Sequence, residues 1–240
     1  MPGGIYSALS GMRTRMERLD RIAEDIANSG TAGYKGDRAT TVVAEHTDFA
    51  NRLDSVVDVM SSRPQVDFRD GSVVATGRDL DLAIEGTGFF SIETPGGVRY
   101  TRSGHFTRGA DGTITTPDGE PLLGDSGPLR LPPGPVDFAA DGTIRVGKTT
   151  VGRPSVTTFS DPKQLIRESG VRFRAPENVT PEPADESRVR SGMLEQSNVL
   201  STERMAQLIG TSRAFGALQR GISVLMNDID GKAITELGRR

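Results

Sequence analysis

The chain has 240 residues, with 29 Lys plus Arg against 32 Asp plus Glu, a formal net charge of −3, and no cysteine. That length holds one large domain or two small ones, and the mixed charge signs along the N-terminal stretch give no basic stripe for nucleic acid. Aromatic residues at 5% without Trp argue against base-stacking platforms, and the missing cysteines exclude disulfides, zinc–thiolate sites and cysteine nucleophiles.

Hydrophobic residues make up only 35%, while 29 Gly and 14 Pro mark many tight turns. The middle of the chain is therefore expected to be β-rich, with parts of the molecule ordered only on assembly. No run of apolar residues is long enough to span a membrane. The start Met1-Pro2-Gly3-Gly4 has no basic n-region or apolar core of a secretory signal. The expectation is a cytoplasmic protein, or one exported on an uncleaved signal.

The first element is a helix over residues 4–28. Ile5, Leu9, Met12, Met16, Leu19, Ala23 and Ile26 recur at alternating spacings of four and three, the seam of a helix that packs lengthwise on another. Asn28-Ser29-Gly30 ends it, with Gly33 in the following turn. Residues 36–64 are polar and weakly patterned, as in an extended linker. The period then changes to two. Leu80, Leu82 and Ile84 alternate with Asp79, Asp81 and Ala83, which predicts a strand with one buried face. Phe89–Glu93 and Val98–Arg102 flank Pro95-Gly96-Gly97 as a hairpin, and Gly86-Thr87-Gly88 joins two strands as a turn. Asp-Gly pairs at 70–71, 111–112, 118–119 and 141–142 mark further turns, since Gly tolerates the positive φ of tight hairpins. The echo of Asp111-Gly112-Thr113-Ile114 in Asp141-Gly142-Thr143-Ile144 is repeated hairpin grammar. Residues 127–135 read as a surface loop, and strands resume at 143–146 and 155–159. A Pro- and Glu-rich return segment follows. The last element is a helix over about 201–234, striped by Leu208, Thr211, Phe215, Leu218, Ile222, Leu225 and Ile229.

The expected fold is α+β and multidomain: terminal helices paired as a coiled coil, with an inserted all-β domain of short strands and hairpins. Residues 1–35 and 192–240 form the terminal helical assembly domain, 36–79 an extended linker, 80–174 the β domain and 175–191 a return linker. Two seams at opposite chain ends are the layout of an assembly subunit. The subunit-assembly residues are Ile5, Leu9, Met12, Met16, Leu19, Ile26, Leu208, Phe215, Leu218, Ile222, Leu225 and Ile229. Leu9, Met16, Leu19 and Ile26 are expected to meet Phe215, Leu218, Ile222 and Leu225.

Candidate chemistry is weak. Gly124-Asp125-Ser126-Gly127-Pro128 looks like the loop around a serine nucleophile, but that chemistry needs a histidine base and an orienting carboxylate. Only His46 and His105 exist, and neither has suitable neighbours. The Asp-Gly turns do not supply the spaced oxygens of a calcium loop. His105 reads as a packing or surface residue, and Asn178-Val179-Thr180 as a chance sequon. No catalysis, cofactor, metal or small-molecule substrate is expected.

Three runs carry a resemblance to a known family. Ser7–Met12 is followed by Ala27-Asn28-Ser29-Gly30-Thr31-Ala32-Gly33-Tyr34-Lys35. Gly86-Thr87-Gly88-Phe89-Phe90 precedes Tyr100–Phe106. Gly192–Val199, containing Glu195, Ser197, Asn198 and Val199, leads into the closing helix with Arg213-Ala214-Phe215 and Gln219. Together these resemble the rod, hook and filament-axis proteins of the bacterial flagellum. The signature residues are Asn28, Thr31, Gly33, Tyr34, Lys35, Gly86, Gly88, Phe89, Phe90, Tyr100, Glu195, Ser197, Asn198 and Val199. Gly216 stands where that family often has Glu, and Ile5-Tyr6 near a position where relatives often have Phe. The short length and Leu80–Gly86 resemble the proximal rod subunit, with the distal rod as runner-up.

The resemblance implies a structural subunit exported unfolded by the flagellar type III apparatus, without signal cleavage. It implies assembly with copies of itself and other rod proteins into a hollow helical rod crossing the periplasm. That rod transmits torque from motor to hook, and involves no nucleic acid and no membrane span.

Overall fold

The computed structural model describes residues 2–39, 64–139, 142–184 and 186–237, with backbone alone at 2–8, 10, 39, 64 and 225–237. The chain divides into a helical unit (Met1–Ala27, Asp37–Gln65 and Leu200–Arg240) and a β unit (Asn28–Gly36 and Val66–Val199).

The helical unit contains α1, Pro2–Ala27, and α2, Ser201–Leu237. Glu203 in the first turn of α2 complements the positive end of its helix dipole. The two helices lie against each other. Asp25 near the end of α1 pairs with Arg204 in the first turns of α2 at 3.0 Å, so the helices run antiparallel. Asp25 is buried and also accepts from the backbone N–H of Asp37 at 3.3 Å, while Arg204 donates to the Asp37 carbonyl at 2.8 Å. Burial leaves a carboxylate costly unless its lone pairs are filled, and these partners fill them.

The β unit is built on antiparallel pairing. Its largest sheet has six strands in the order Ile166–Ser169, Arg172–Arg174, Gly97–Thr101, Phe89–Thr94, Val156–Thr158 and Glu182–Pro183. The expected hairpin is its centre, with Phe90 facing Thr101 and Glu93 facing Val98. A three-stranded sheet joins Val136–Phe138, Ile144–Val146 and Thr149–Gly152.

Successive side chains of a strand point to opposite faces, and this splits the two adjacent phenylalanines. Phe90 enters a core with Leu82, Ile84, Ile92, Phe106, Ile114 and Leu122. Phe89 enters a second core with Tyr100, Phe159, Leu165, Phe173 and Val179. Both are locked by edge-on aromatic pairs: Phe90 on Phe106 at 5.3 Å, and Tyr100 on Phe159 at 4.8 Å. A central strand buried on both faces explains why its residues Phe89 to Ile92 read as nearly continuous burial.

The structure departs from the expected boundaries at four places. Residues 28–36 and 192–199 belong to the β unit and not to the helical one. Part of the 36–79 segment is strand: Asp37–Ala39, Pro64–Val66 and Val73–Ala75. The expected linker 40–63 lies outside the described residues. The expected return linker ends in Arg188–Ser191, which pairs residue for residue with Leu82–Glu85. Beyond it, Met193–Glu195 pairs with Val73–Ala75. These segments look polar locally because each strand is short, yet pairing with a distant strand satisfies their backbone. Finally, Leu129 and Leu131 in the expected loop at 127–135 are buried in the first core.

Leu82–Glu85 also differs from its expected one-sided pattern. Leu82, Ala83 and Ile84 are all buried. Asp81, read as solvent-facing, is 2% exposed and is held by His105 Nδ1 at 3.0 Å and Arg78 Nη1 at 3.5 Å.

Candidate functional site

The signature residues are scattered over the sequence but all fall in the β unit. After α1 the chain makes two turns, with Thr31 N–H donating to the Asn28 carbonyl at 3.0 Å and Tyr34 N–H to the Thr31 carbonyl at 3.2 Å. The Thr31 hydroxyl donates to Asn28 Oδ1 at 3.3 Å. Gly30, expected to cap the helix, has no positive φ. The left-handed residue is Gly33, at φ +70°. A Cβ there would lie 2.3 Å from the Arg102 carbonyl carbon and the Ser103 nitrogen, so only glycine allows the approach.

That turn delivers Tyr34 and Lys35 into the interior, 1% and 0% exposed. Arg167 stacks over the Tyr34 ring at 4.8 Å and donates to the Lys35 carbonyl. Lys35 Nζ donates to Glu195 Oε1 at 2.5 Å and to the Arg69 carbonyl at 2.8 Å. Glu195 Oε1 also accepts from Gly71 N–H at 3.0 Å, and Glu195 Oε2 faces Arg102 Nε at 3.6 Å. Arg102 is 5% exposed and reaches Asp70 Oδ1 and the Gly86 carbonyl, each at 2.8 Å. Burial pulls the Lys35 ammonium below its ordinary pKa, and the Glu195 carboxylate opposes that pull.

Asn198 completes the junction. Its Oδ1 accepts from Gly36 N–H at 2.8 Å, and its Nδ2 donates to the Asp67 and Arg69 carbonyls at 2.7 and 3.0 Å. Ser197 Oγ accepts from Val199 N–H at 3.2 Å, and Val199 is buried. Gly86 and Gly88 turn between strands at φ +102° and +135° and place Phe89, Phe90 and, across the hairpin, Tyr100 in the cores. The N-terminal signature through Lys35 and the C-terminal signature through Glu195 and Asn198 therefore form one buried polar junction. Composition and spacing carry no sign of this pairing, because the partners lie 160 positions apart.

The residues expected to act in assembly lie in the helical unit. On α2, Leu208, Thr211, Phe215, Leu218 and Ile222 are half-buried along one line. On α1 the seam divides. Met12, Leu19 and Ile26 are half-buried beside fully buried Ile22, while Leu9 and Met16 are 51% and 58% exposed. At about 100° per residue, Ile22 sits well round the helix from Leu9 and Met16. On α2, Met205 and Ile209 are likewise about half exposed, at 49% and 52%. The side chains of Ile5, Leu225 and Ile229 lie outside the described residues.

The catalytic alternative finds no geometry. Ser126 sits in the turn between Leu123–Gly124 and Gly127–Pro128. The hollow beside it is lined by residues such as Arg130, Pro132 and Thr150, with no histidine among the described residues. His105 is engaged with Asp81 and Arg78, and His46 lies outside the described residues. Among the described residues no cluster of three acids or histidines is placed to hold a metal, and no helix is long and apolar enough to cross a membrane.

Residues 83–150 match the family described as the flagellar hook protein FlgE/F/G D1 domain, and residues 190–234 match the flagellar basal body rod FlgEFG protein C-terminal family. A flagellar basal-body rod protein FlgF of Caulobacter vibrioides is 33% identical, covering 100% of this chain and 99% of its own. The chain belongs to the flagellar rod and hook protein family. Another FlgF, from Mesorhizobium japonicum, is 34% identical over 90% of each chain, and a FlgG from Bacillus subtilis is 31% identical over 88% of this chain and 90% of its own. A structural, non-enzymatic role in the flagellar basal-body rod follows from that membership. The two matched segments fall on the β unit and on the junction strands running into α2.

Proposed function

We propose that this chain is the proximal-rod subunit, of FlgF type, of a hollow helical axle that crosses the periplasm and transmits torque from motor to hook. Subunits reach it unfolded through the flagellar type III apparatus, on a signal that is not cleaved. They then join copies of themselves and neighbouring rod proteins by contacts that repeat without closing.

The observation that supports this most is the incomplete seam of the helical unit. Leu9 and Met16 on α1, with Met205 and Ile209 on α2, leave large apolar side chains about half exposed. Covering one large side chain is worth roughly 1.5–3 kcal/mol, so a row of them favours a neighbour of the same design. In the assembled rod the two helices complete a coiled-coil seam along Leu19, Ile26, Phe215, Leu218 and Ile222, with Leu9 and Met16 turned towards an adjoining subunit. The Bacillus subtilis FlgG relative supports a second reading, a distal-rod position with the same fold and contacts.

Leu218→Asp, introduced in the chromosomal copy, tests the assembly role. The expected result is loss of swimming with the β unit still folded by NMR, since Leu218 is in the helical unit. Normal motility in that strain would defeat the proposal.

A further inference from the structure

The buried junction has an order built into it. Two of its charges are cations, Lys35 and Arg102, whose side chains are 0% and 4% exposed. The anion buried with them is Glu195, at 2%. Asp70 also reaches Arg102 but is 69% exposed, so water screens it. Glu195 arrives on the last strand of the β unit, after every other charged member of the cluster.

The same stretch closes much backbone. Arg188–Ser191 covers Leu82–Glu85 and Met193–Glu195 covers Val73–Ala75. The Gly192 carbonyl accepts from Thr76 N–H at 2.7 Å, and the Glu195 carbonyl accepts from Gly33 N–H at 2.7 Å. Val189 packs against the first core, and Leu194 is buried.

We propose that residues 188–199 are a closing strap and that Glu195 is its charge latch. With the strap undocked, Lys35 and Arg102 face each other without their buried counter-charge, and two strands keep open edges. Uncompensated buried charge is strongly unfavourable, so the surrounding turn at Gly33–Lys35 and the Val73–Glu85 region stay loose until Glu195 docks. A chain delivered N-terminus first, from a ribosome or through a channel, cannot close its β unit before residue 195 has emerged. Nothing in this latch depends on where in the rod the chain sits.

Native-state hydrogen exchange on the full-length protein tests the latch, comparing wild type, Glu195→Gln, Lys35→Met and the double variant. Glu195→Gln keeps the shape and removes the counter-charge. The expected result is at least a tenfold rise in exchange across 73–85 and 188–195, with a smaller rise in the 89–101 hairpin. Adding Lys35→Met should reverse most of that rise, because Met fills the same buried stem without a charge. If Glu195→Gln alone does not fold, the double variant carries the test: a folded, protected double variant supports the latch, and an unfolded one overturns it. Additive losses, or a hairpin that loosens as much as the strap, would also overturn it.

Discussion

Gly33→Ala is the substitution whose cost can be worked most directly from the geometry. Its φ of +70° is left-handed, and there alanine costs roughly 1–2 kcal/mol relative to its preferred conformations. The new Cβ would also sit 2.3 Å from two backbone atoms of residues 102 and 103, which no rotamer change can relieve. Moving that backbone moves Arg102, and with it the contact to Glu195 at 3.6 Å. The total loss should be about 3 kcal/mol or more, combining left-handed strain with displaced packing. At a urea slope of about 2 kcal/mol/M this lowers the midpoint of the β unit by about 1.5 M. Gly119→Ala is the matched control: φ is +86°, but nothing lies within 4 Å of the added Cβ. It should show the conformational cost alone, about 1–2 kcal/mol. Equal midpoint shifts for the two variants would refute the claim that close approach at the Gly33 turn holds the junction together.

Three other outcomes follow from particular contacts. Phe90→Ala removes a side chain with 0% exposure and its edge-on pair with Phe106, and should cost about 3–5 kcal/mol in chemical denaturation. Met16→Lys changes a residue already 58% exposed, so thermal unfolding of the free subunit should move by no more than about 0.5 kcal/mol. Swimming in soft agar should nevertheless fail, and a motile strain would remove Met16 from the assembly surface. A hydrogen bond from Arg99, with Arg172 and Arg174 nearby, holds the Glu168 carboxyl below its ordinary value of 4.5. A lowered folded pKa contributes stability that is present above the unfolded value and is lost as pH falls through the folded one. Wild type should therefore lose more stability than Glu168→Gln between about pH 5 and pH 3, by a small margin because water screens this partly exposed group. Parallel curves would exclude the Glu168 contribution.

Much of the architecture was legible because its signals are local. The period of the α1 and α2 stripes, the Pro95-Gly96-Gly97 turn and the Asp-Gly pairs each act within a few residues. Gly112, Gly119 and Gly142 adopt positive φ in such turns, as the Asp-Gly pairs predict, whereas Gly71 does not and the chain makes no turn at Asp70-Gly71. The alternation around Leu82 marked a strand but not its second buried face. The strand's edge is paired by Arg188–Ser191, about a hundred positions on, and no local period encodes a partner so distant. The buried cluster was illegible for the same reason. Lys35, Arg102 and Glu195 look like ordinary surface charges until the turn at Gly33 and the strand at Met193–Glu195 bring them together. On α1 the apolar stripe was visible, but which side of it faces α2 depends on Ile22 and Asp25, a buried pair that mixes apolar and charged residues. The signature residues were identified by resemblance; that Lys35, Glu195 and Asn198 meet in one junction came only from the geometry.

The most direct test of the account is cryo-electron microscopy of basal bodies isolated from the source cells, asking where this chain fits the density. The account predicts it in the membrane-proximal rod, with the Leu9 and Met16 flank of α1 against a neighbouring subunit. Its absence from the rod, or a rod in which that flank faces open solvent, would contradict it.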